Sequence, residues 1–191
     1  MKQVQYAFYF DQTRCIGCHT CAVACMDWHN LEIGANWRKV TTREEGRSND
    51  LHVSFLSLSC NHCDNPLCAI SCPAKAITKL KENGIVVVDY TRCLGKDKCK
   101  MVCKRVCPYS APQFGSETNA KMQKCDLCLE RLKENKRPIC VEACPMEALD
   151  AGPLNVLTEK YGGTTEACGF VYSRKALPSI VFRPKMSKKS D

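Results

Sequence analysis

Sixteen of the seventeen cysteines fall into four groups of four, and no other feature of the sequence is as well suited to chemistry. Every group ends with a three-residue gap, and the last three groups end on Cys-Pro. Such runs bind iron–sulfur clusters of the bacterial type, in which the fourth cysteine of one run serves the cluster of another. The spacing therefore predicts 4Fe–4S clusters and electron transfer. In chain order, runs one to four are Cys15, Cys18, Cys21 and Cys25; Cys60, Cys63, Cys68 and Cys72; Cys93, Cys99, Cys103 and Cys107; and Cys125, Cys128, Cys140 and Cys144.

Zinc and disulfide bonds are the two other uses of so many cysteines. A zinc ribbon needs two Cys-x-x-Cys pairs and has no use for a trailing Cys-Pro, although run four alone would suit zinc. A disulfide framework suits a short secreted chain, whereas this chain begins with polar residues and shows no apolar segment of a signal peptide. Four similar runs favour clusters over both, with a zinc-bound structural module kept as an alternative.

The formal charge of +8 would ordinarily suggest an anionic partner such as nucleic acid. An oxidised 4Fe–4S cluster with four thiolates carries about −2, so four clusters would bring about −8 and cancel the excess. We therefore expect no nucleic acid partner. Basic residues close to the cysteines could also tune the cluster potentials, although solvated surface is the simpler interpretation of any single one: Arg14, Arg92, Lys96, Lys98, Lys100, Lys104, Arg105 and Lys124.

An internal repeat and short strand patterns indicate the fold. The hexapeptide from Cys72 to Ile77 matches the one from Cys144 to Leu149, each with a proline placed where a helix could start. Alternating or β-branched residues predict strands at 6–10, 51–58 and 85–89. The repeating unit of strand, cluster loop and short helix predicts a loop-rich α+β fold, with two ferredoxin-like dicluster modules built around the clusters.

Several longer strings carry a resemblance to a known family. The chain resembles the four-cluster electron-transfer subunits of the complex iron–sulfur molybdoenzymes, the dimethyl sulfoxide reductase superfamily, from about residue 6 to residue 154. The strings that carry it are Asp11-Gln12-Thr13-Arg14-Cys15-Ile16-Gly17-Cys18, Leu58-Ser59-Cys60-Asn61-His62-Cys63, Cys107-Pro108-Tyr109-Ser110-Ala111-Pro112-Gln113-Phe114, Lys124-Cys125-Asp126-Leu127-Cys128 and Pro138-Ile139-Cys140-Val141-Glu142-Ala143-Cys144-Pro145.

The resemblance implies how the runs share clusters and modules. Runs one and four would form an outer module, residues 1–50 plus 116–153, and runs two and three an inner module, residues 51–115. Residues 154–191 would be a C-terminal extension and a possible partner contact. The implied ligand sets are Cys15, Cys18, Cys21 with Cys144; Cys125, Cys128, Cys140 with Cys25; Cys60, Cys63, Cys68 with Cys107; and Cys93, Cys99, Cys103 with Cys72.

Run three departs from the family pattern because its first two gaps are wider. We expect a bulged loop that still holds a 4Fe–4S cluster, with a 3Fe–4S cluster as the alternative. Lysines in this loop, Lys96 and Lys98, are expected to raise the potential of that cluster. Cys168 is left over and is expected to be a buried thiol, and His62 is expected to donate to a cluster from outside the ligand set.

The same resemblance implies a molybdopterin or tungstopterin catalytic subunit as partner and possibly a membrane anchor subunit. No phosphate-binding or nucleotide-binding motif and no stretch of membrane-spanning length occurs, so we expect no catalysis and no direct membrane span. The complex would be membrane-associated, either cytoplasmic or co-exported with a signal-bearing partner. A free polyferredoxin carrier is the alternative function.

Overall fold

The computed structural model describes residues 4–47 and 50–185. Residues 1–3, 48–49 and 186–191, which include parts of the predicted outer module and C-terminal extension, lie outside the described residues. The elements are β1 (Tyr6–Asp11), α1 (Thr20–Trp28), β2 (Lys39–Glu45), β3 (His52–Leu58), α2 (Leu67–Ile70), β4 (Ile77–Lys79), β5 (Val86–Val88), α3 (Lys96–Cys99), α4 (Val102–Val106), β6 (Gln113–Phe114), β7 (Met122–Gln123), α5 (Leu129–Lys133), α6 (Ile139–Glu142), β8 (Leu149–Pro153), α7 (Leu154–Tyr161) and β9 (Ile180–Arg183).

A three-stranded sheet with β1 at its centre organises one half of the molecule. Strand β8 pairs antiparallel with β1, with Phe8 opposite Ala151, and β9 pairs parallel with β1, with Phe8 opposite Ile180. Since successive side chains of a strand point to opposite faces, β1 buries residues on both sides. Phe8 and Phe10 enter the main core, while Ala7 and Tyr9 pack in a smaller one beneath α7.

The rest of the chain forms two-stranded hairpins and short helices. Strands β4 and β5 pair with Ile77 opposite Val88, and they share a second core with residues of runs two and three. A longer hairpin joins β2 to β3. Helix α2 packs against α4, and α1 packs against α6, so each helix contact joins two different cysteine runs. The predicted strands are confirmed, the last as the shorter Val86–Val88.

The prediction that proline begins a helix after Cys-Pro is wrong. Helices α2 and α6 end at Ile70 and Glu142, before the last cysteine of their runs, and no helix starts at Pro73 or Pro145. A proline just beyond a helix C-terminus cannot continue the helix, because it lacks the N–H group and its ring clashes with the preceding turn. The chain turns instead and enters β4 or β8.

The fold class of mixed helix and strand is confirmed. In the C-terminal extension, α7 and β9 pack on the chain's own sheet through buried residues such as Leu157 and Phe182. Among the described residues, no helix combines the length and the apolar character that a bilayer crossing requires.

Candidate metal centres

The structure gathers the sixteen cysteines into four groups, each with three cysteines of one run and the last cysteine of another. Three of the groups line cavities, at sites 1, 2 and 3. In the fourth group all cysteines are buried, and the thiols of Cys25 and Cys128 both lie near those of Cys125 and Cys140. Site 1 is Cys15, Cys18, Cys21 and Cys144; site 2 is Cys60, Cys63, Cys68 and Cys107; site 3 is Cys93, Cys99, Cys103 and Cys72; and site 4 is Cys125, Cys128, Cys140 and Cys25.

Each run begins with the same backbone turn. The second residue after the first cysteine has a positive φ in every run: Gly17 at 72°, His62 at 41°, Gly95 at 88° and Leu127 at 64°. This left-handed conformation is strained for residues other than glycine, so His62 and Leu127 are held in it by their surroundings. It turns the backbone N–H towards the sulfur, as where Leu127 N lies 3.4 Å from Cys125 Sγ. In runs one and four, the turn places one backbone N–H donor beside the sulfur of the first cysteine.

A second turn recurs after each Cys-Pro. The third residue after the cysteine is left-handed, with φ near 50° at Lys75, Ser110 and Glu147. The next N–H then donates back to the sulfur, at 3.4 Å both from Ala76 to Cys72 and from Ala148 to Cys144. Hydrogen bonds to cluster thiolates raise the reduction potential. The internal repeat seen in the sequence therefore corresponds to this turn in the structure.

Run one has methionine in place of the proline, and the structure gives the reason. Its last cysteine, Cys25, lies inside α1, which continues to Trp28. A proline at position 26 would remove a helical hydrogen bond and clash with the preceding turn. Helix α1 packs on α6, which carries Cys140, so the longer helix brings Cys25 to site 4.

Burial and mutual repulsion disfavour the thiolate form of most site cysteines. Burial, followed by neighbouring thiolates, raises the pKa of Cys125 to about 12 and that of Cys68 to about 12, while the pKa of Cys103 rises to about 11. Cys18 differs because it is exposed: a hydrogen bond from the Thr20 hydroxyl, 3.4 Å away, lowers its pKa. Metal ligands must be thiolates, so cluster assembly has to displace protons from these groups.

Two fully buried cations lie among the sites. Arg38 and Lys124 are each 2 % exposed, and neither is paired with a carboxylate within residues 4–47 and 50–185. Burial opposes the charge on Lys124, but Cys60, Cys125 and Cys68 outweigh it and raise its pKa. The pKa of Arg38 is raised by Cys140 and Cys21 in the same way, against the effect of burial. Buried charges require compensation, and anionic clusters in the four sites would supply it. The donor set and its surroundings therefore fit 4Fe–4S clusters.

Two histidines lie close to the cysteine sites. His62 accepts a hydrogen bond on Nδ1 from Val86 N, and its buried Nε2 has no protein partner among the described residues. His29, which no motif singled out, places Nε2 3.4 Å from Cys128 Sγ. Burial lowers the pKa of both rings. A neutral His29 is therefore placed to donate to a site 4 sulfur, and only the tertiary contact reveals it.

The wider run three forms a helical turn, α3, and still places Cys93, Cys99 and Cys103 around one cavity with Cys72. The Lys96 ammonium donates to the carbonyl groups of Gly115 and Ser116, at 3.0 and 3.2 Å. It anchors the inserted turn. Four cysteines at this site favour the 4Fe–4S form over 3Fe–4S.

Cys168 stands apart from the four sites. It is half-buried, its thiol lies 3.4 Å from a Glu45 carboxylate oxygen, and its backbone pairs with the Gln12 side chain. The prediction of a buried thiol is therefore wrong, because the Cys168 thiol is half-buried and donates to a carboxylate. Within residues 4–47 and 50–185, no three His, Cys, Asp or Glu side chains converge as tightly as ligands of a single ion.

Comparison with known proteins identifies the family. A family model described as a 4Fe-4S dicluster domain matches residues 51–154, more than half of the chain. The chain is 38 % identical over 193 residues to the B subunit of the anaerobic dimethyl sulfoxide reductase of Escherichia coli K12, covering 97 % of this chain and 91 % of that one. It is 40 % identical over 154 residues to the thiosulfate reductase electron transfer subunit of Salmonella typhi, covering 79 % and 77 %.

A third relative widens the range of reactions. The formate dehydrogenase iron-sulfur subunit of Wolinella succinogenes is 34 % identical over 172 residues, covering 79 % of this chain and 82 % of that one. These matches confirm the predicted resemblance and the predicted 4Fe–4S chemistry. The chain belongs to the family of 4Fe–4S dicluster proteins that contains the iron–sulfur electron-transfer subunits of dimethyl sulfoxide reductase and related molybdoenzymes.

Proposed function

We propose that this chain relays electrons through four 4Fe–4S clusters between a molybdopterin or tungstopterin catalytic subunit and a membrane anchor or other redox partner. A cluster bound in each site would supply a one-electron carrier. The chain's own residues hold the four carriers in series and insulate them, and they carry out no bond chemistry. The observation that carries this proposal is the continuous succession of four cysteine sites.

The succession follows from which thiols face each other between sites. Cys21 of site 1 lies near Cys140 of site 4. Cys125 of site 4 lies near Cys60 of site 2, and Cys68 of site 2 lies near Cys103 of site 3. These neighbours support the order site 1, site 4, site 2, site 3. Such an order gives electrons one path through the protein.

The two ends of this series are open. Ile16 and Met146 line site 1 and are 55 % and 39 % exposed, and Leu94 lines site 3 and is 40 % exposed. By contrast, all four cysteines of site 4 are buried. Exposed apolar side chains around a redox site are suited to contact with another protein. Electrons would therefore enter and leave at sites 1 and 3.

We also propose the four ligand sets named above and the division into two ferredoxin-like modules. The contact of α1 with α6 and that of α2 with α4 support an outer module with runs one and four and an inner module with runs two and three. Residues 154–185 extend the outer module, since β9 completes its sheet. The relatives are subunits of larger enzymes, which supports a catalytic partner for this chain.

Anaerobic purification, with iron and sulfide analysis and EPR of the reduced protein, tests the proposed function. We expect about sixteen irons per chain, four for each cluster, together with a co-purifying molybdopterin- or tungstopterin-binding subunit. Iron without any partner would favour a free polyferredoxin, and zinc without an EPR signal would refute the relay.

Cys144→Ser and Cys140→Ser test the ligand sets, because these two cysteines belong to one run but to different sites. Cys144→Ser should alter the same EPR signal as Cys15→Ser, and Cys140→Ser the same signal as Cys25→Ser. If Cys144→Ser and Cys140→Ser altered one common signal, the proposed exchange of ligands between runs would be wrong.

A further inference from the structure

Arg38 lies at the junction of sites 1 and 4. Its guanidinium donates to Ser57 Oγ at 3.2 Å and to Ser59 Oγ at 3.0 Å, and it stacks over the Phe8 ring at 4.5 Å. Ser57 Oγ in turn lies 3.5 Å from Cys21 Sγ of site 1. The Nε of Arg38 has no protein partner among the described residues. All of these contacts are neutral, so they orient the charge without balancing it.

Lys124 lies at the next junction, between sites 4 and 2. Its side chain lines the site 2 cavity, while its ammonium donates to the carbonyl of the site 4 residue Cys125 at 2.8 Å and to that of Val86. Carbonyl groups again accept the hydrogen bonds. The Asp126 carboxylate helps to raise the pKa of Lys124 but forms no ion pair with it. Site 4 is therefore flanked by a buried cation on each side.

Site 3 lacks such a neighbour among the described residues that line its cavity. Its walls are apolar apart from the cysteines, with side chains such as Ile77, Val88 and Phe114. The nearby Lys96 donates to the carbonyl groups of Gly115 and Ser116. Lys121 donates to the carbonyl group of Cys93, but Lys121 is exposed, so solvent screens its charge. The four sites thus differ in the fixed charge placed beside them.

We propose that Arg38 and Lys124 are fixed positive charges that raise the reduction potentials of the clusters they separate. Arg38 acts on sites 1 and 4, Lys124 acts on sites 4 and 2, and neither acts on site 3. A reduced cluster carries one more negative charge than an oxidised one, and a buried cation stabilises it strongly because the protein interior screens charge weakly. This inference rests on the proposed function and adds how the relay is tuned.

The two charges overlap on the central site. Site 4 receives the effect of both cations, site 1 and site 2 of one each, and site 3 of neither. The potentials along the series would therefore be graded by position and not by cysteine spacing. Arg38 and Lys124 act on the clusters through their charge, and neither binds iron.

EPR-monitored redox titration of the anaerobic holoprotein tests the proposal, with signals assigned to sites by the Cys→Ser variants described above. Arg38→Gln should lower the potentials of sites 1 and 4, and Lys124→Gln those of sites 4 and 2. We expect at least a tenfold change in each one-electron equilibrium, which corresponds to about 59 mV. Arg43→Gln, on the exposed face of β2, and Lys133→Gln, on the exposed side of α5, are matched controls and should shift none.

Conservative variants separate charge from hydrogen bonding. Arg38→Lys and Lys124→Arg keep the charge and should retain potentials close to those of the wild type. Unshifted potentials in Gln variants that hold all four clusters would overturn the proposal. It would also be overturned if site 3 shifted as much as the neighbouring sites, or if the conservative variants shifted the potentials as much as the Gln variants do. If one Gln variant fails to bind clusters, the variant at the other junction decides. Iron content and the co-purifying partner of the wild type report on the proposed function separately, because a zinc protein would hold no clusters and a free polyferredoxin would have no partner.

Discussion

Gly17 lies at the left-handed position of the first cluster loop and in contact with the β2–β3 hairpin. Its φ is 72°, and a Cβ built there would lie 2.4 Å from Phe55 Cε1 and 2.5 Å from Phe55 Cδ1. Its N–H also donates to the Cys15 sulfur. Gly17→Ala therefore meets two separate obstacles, one in the backbone and one in packing.

The two contributions can be estimated separately. A left-handed alanine costs about 1–2 kcal/mol, and forcing an extra methyl group against a packed ring costs about 1–3 kcal/mol. Together they amount to roughly 2–5 kcal/mol, which lowers the unfolding temperature of a chain of this size by on the order of 10 °C. The movement of the loop should also weaken site 1.

Anaerobic thermal unfolding of the holoprotein, with iron analysis, measures both effects. Gly152→Ala is the control, because no atom lies within 4 Å of the position that a Cβ would take at this residue of β8, and it should leave the unfolding temperature nearly unchanged. In a Phe55→Ala background the packing contribution disappears, so Gly17→Ala should then cost only about 1–2 kcal/mol. The smallest shift expected for 1 kcal/mol is roughly 2 °C. A Gly17→Ala protein whose unfolding temperature lies within about 2 °C of that of the wild type would therefore refute this reasoning.

Other consequences concern the clusters, one ion pair and the leftover thiol. Anaerobic removal of iron should unfold most of the chain, measured by circular dichroism, because the sixteen cysteines of the four sites lose their crosslinks; a native spectrum of the apoprotein would contradict this. Asp150→Asn should cost about 1 kcal/mol, or roughly 2–4 °C, through loss of ionic hydrogen bonding to Lys160 at 3.1 Å. Burial favours the neutral form of Asp150, but hydrogen bonds from Tyr161 and Lys160 outweigh burial and lower its pKa. The stabilisation is therefore complete above about pH 4, is lost only as the pH falls through the lowered pKa, and should be constant from about pH 6 to 9. A difference in stability between the variant and the wild type that grew or vanished in that range would argue against this ion pair. Cys168→Ser should retain the wild-type iron content, and a loss of about four irons would place this thiol among the ligands.

Part of this structure was predictable because its cause is local. Cysteine spacing indicated four runs, and β-branched residues indicated strands such as Val86–Val88. The proline after Cys72 and Cys144 was misassigned because a proline beside a helix signals either its beginning or its end, and local sequence does not distinguish them. The left-handed His62 and Leu127 could not be anticipated either, since glycine is the usual residue at such positions and their surroundings enforce the conformation.

By itself, the sequence determined the chemistry: thiol number, spacing and the flanking strings predict 4Fe–4S clusters in an electron-transfer subunit, since ligand type and local reach are properties of short segments. The tertiary structure decided which thiols face each other, because the last cysteine of each run meets residues distant in the chain. It also decided the electrostatics. Arg38 is far from every cysteine in sequence and belongs to no motif, yet folding buries its charge between sites 1 and 4. The low dielectric there strengthens its electrostatic interaction with both sites.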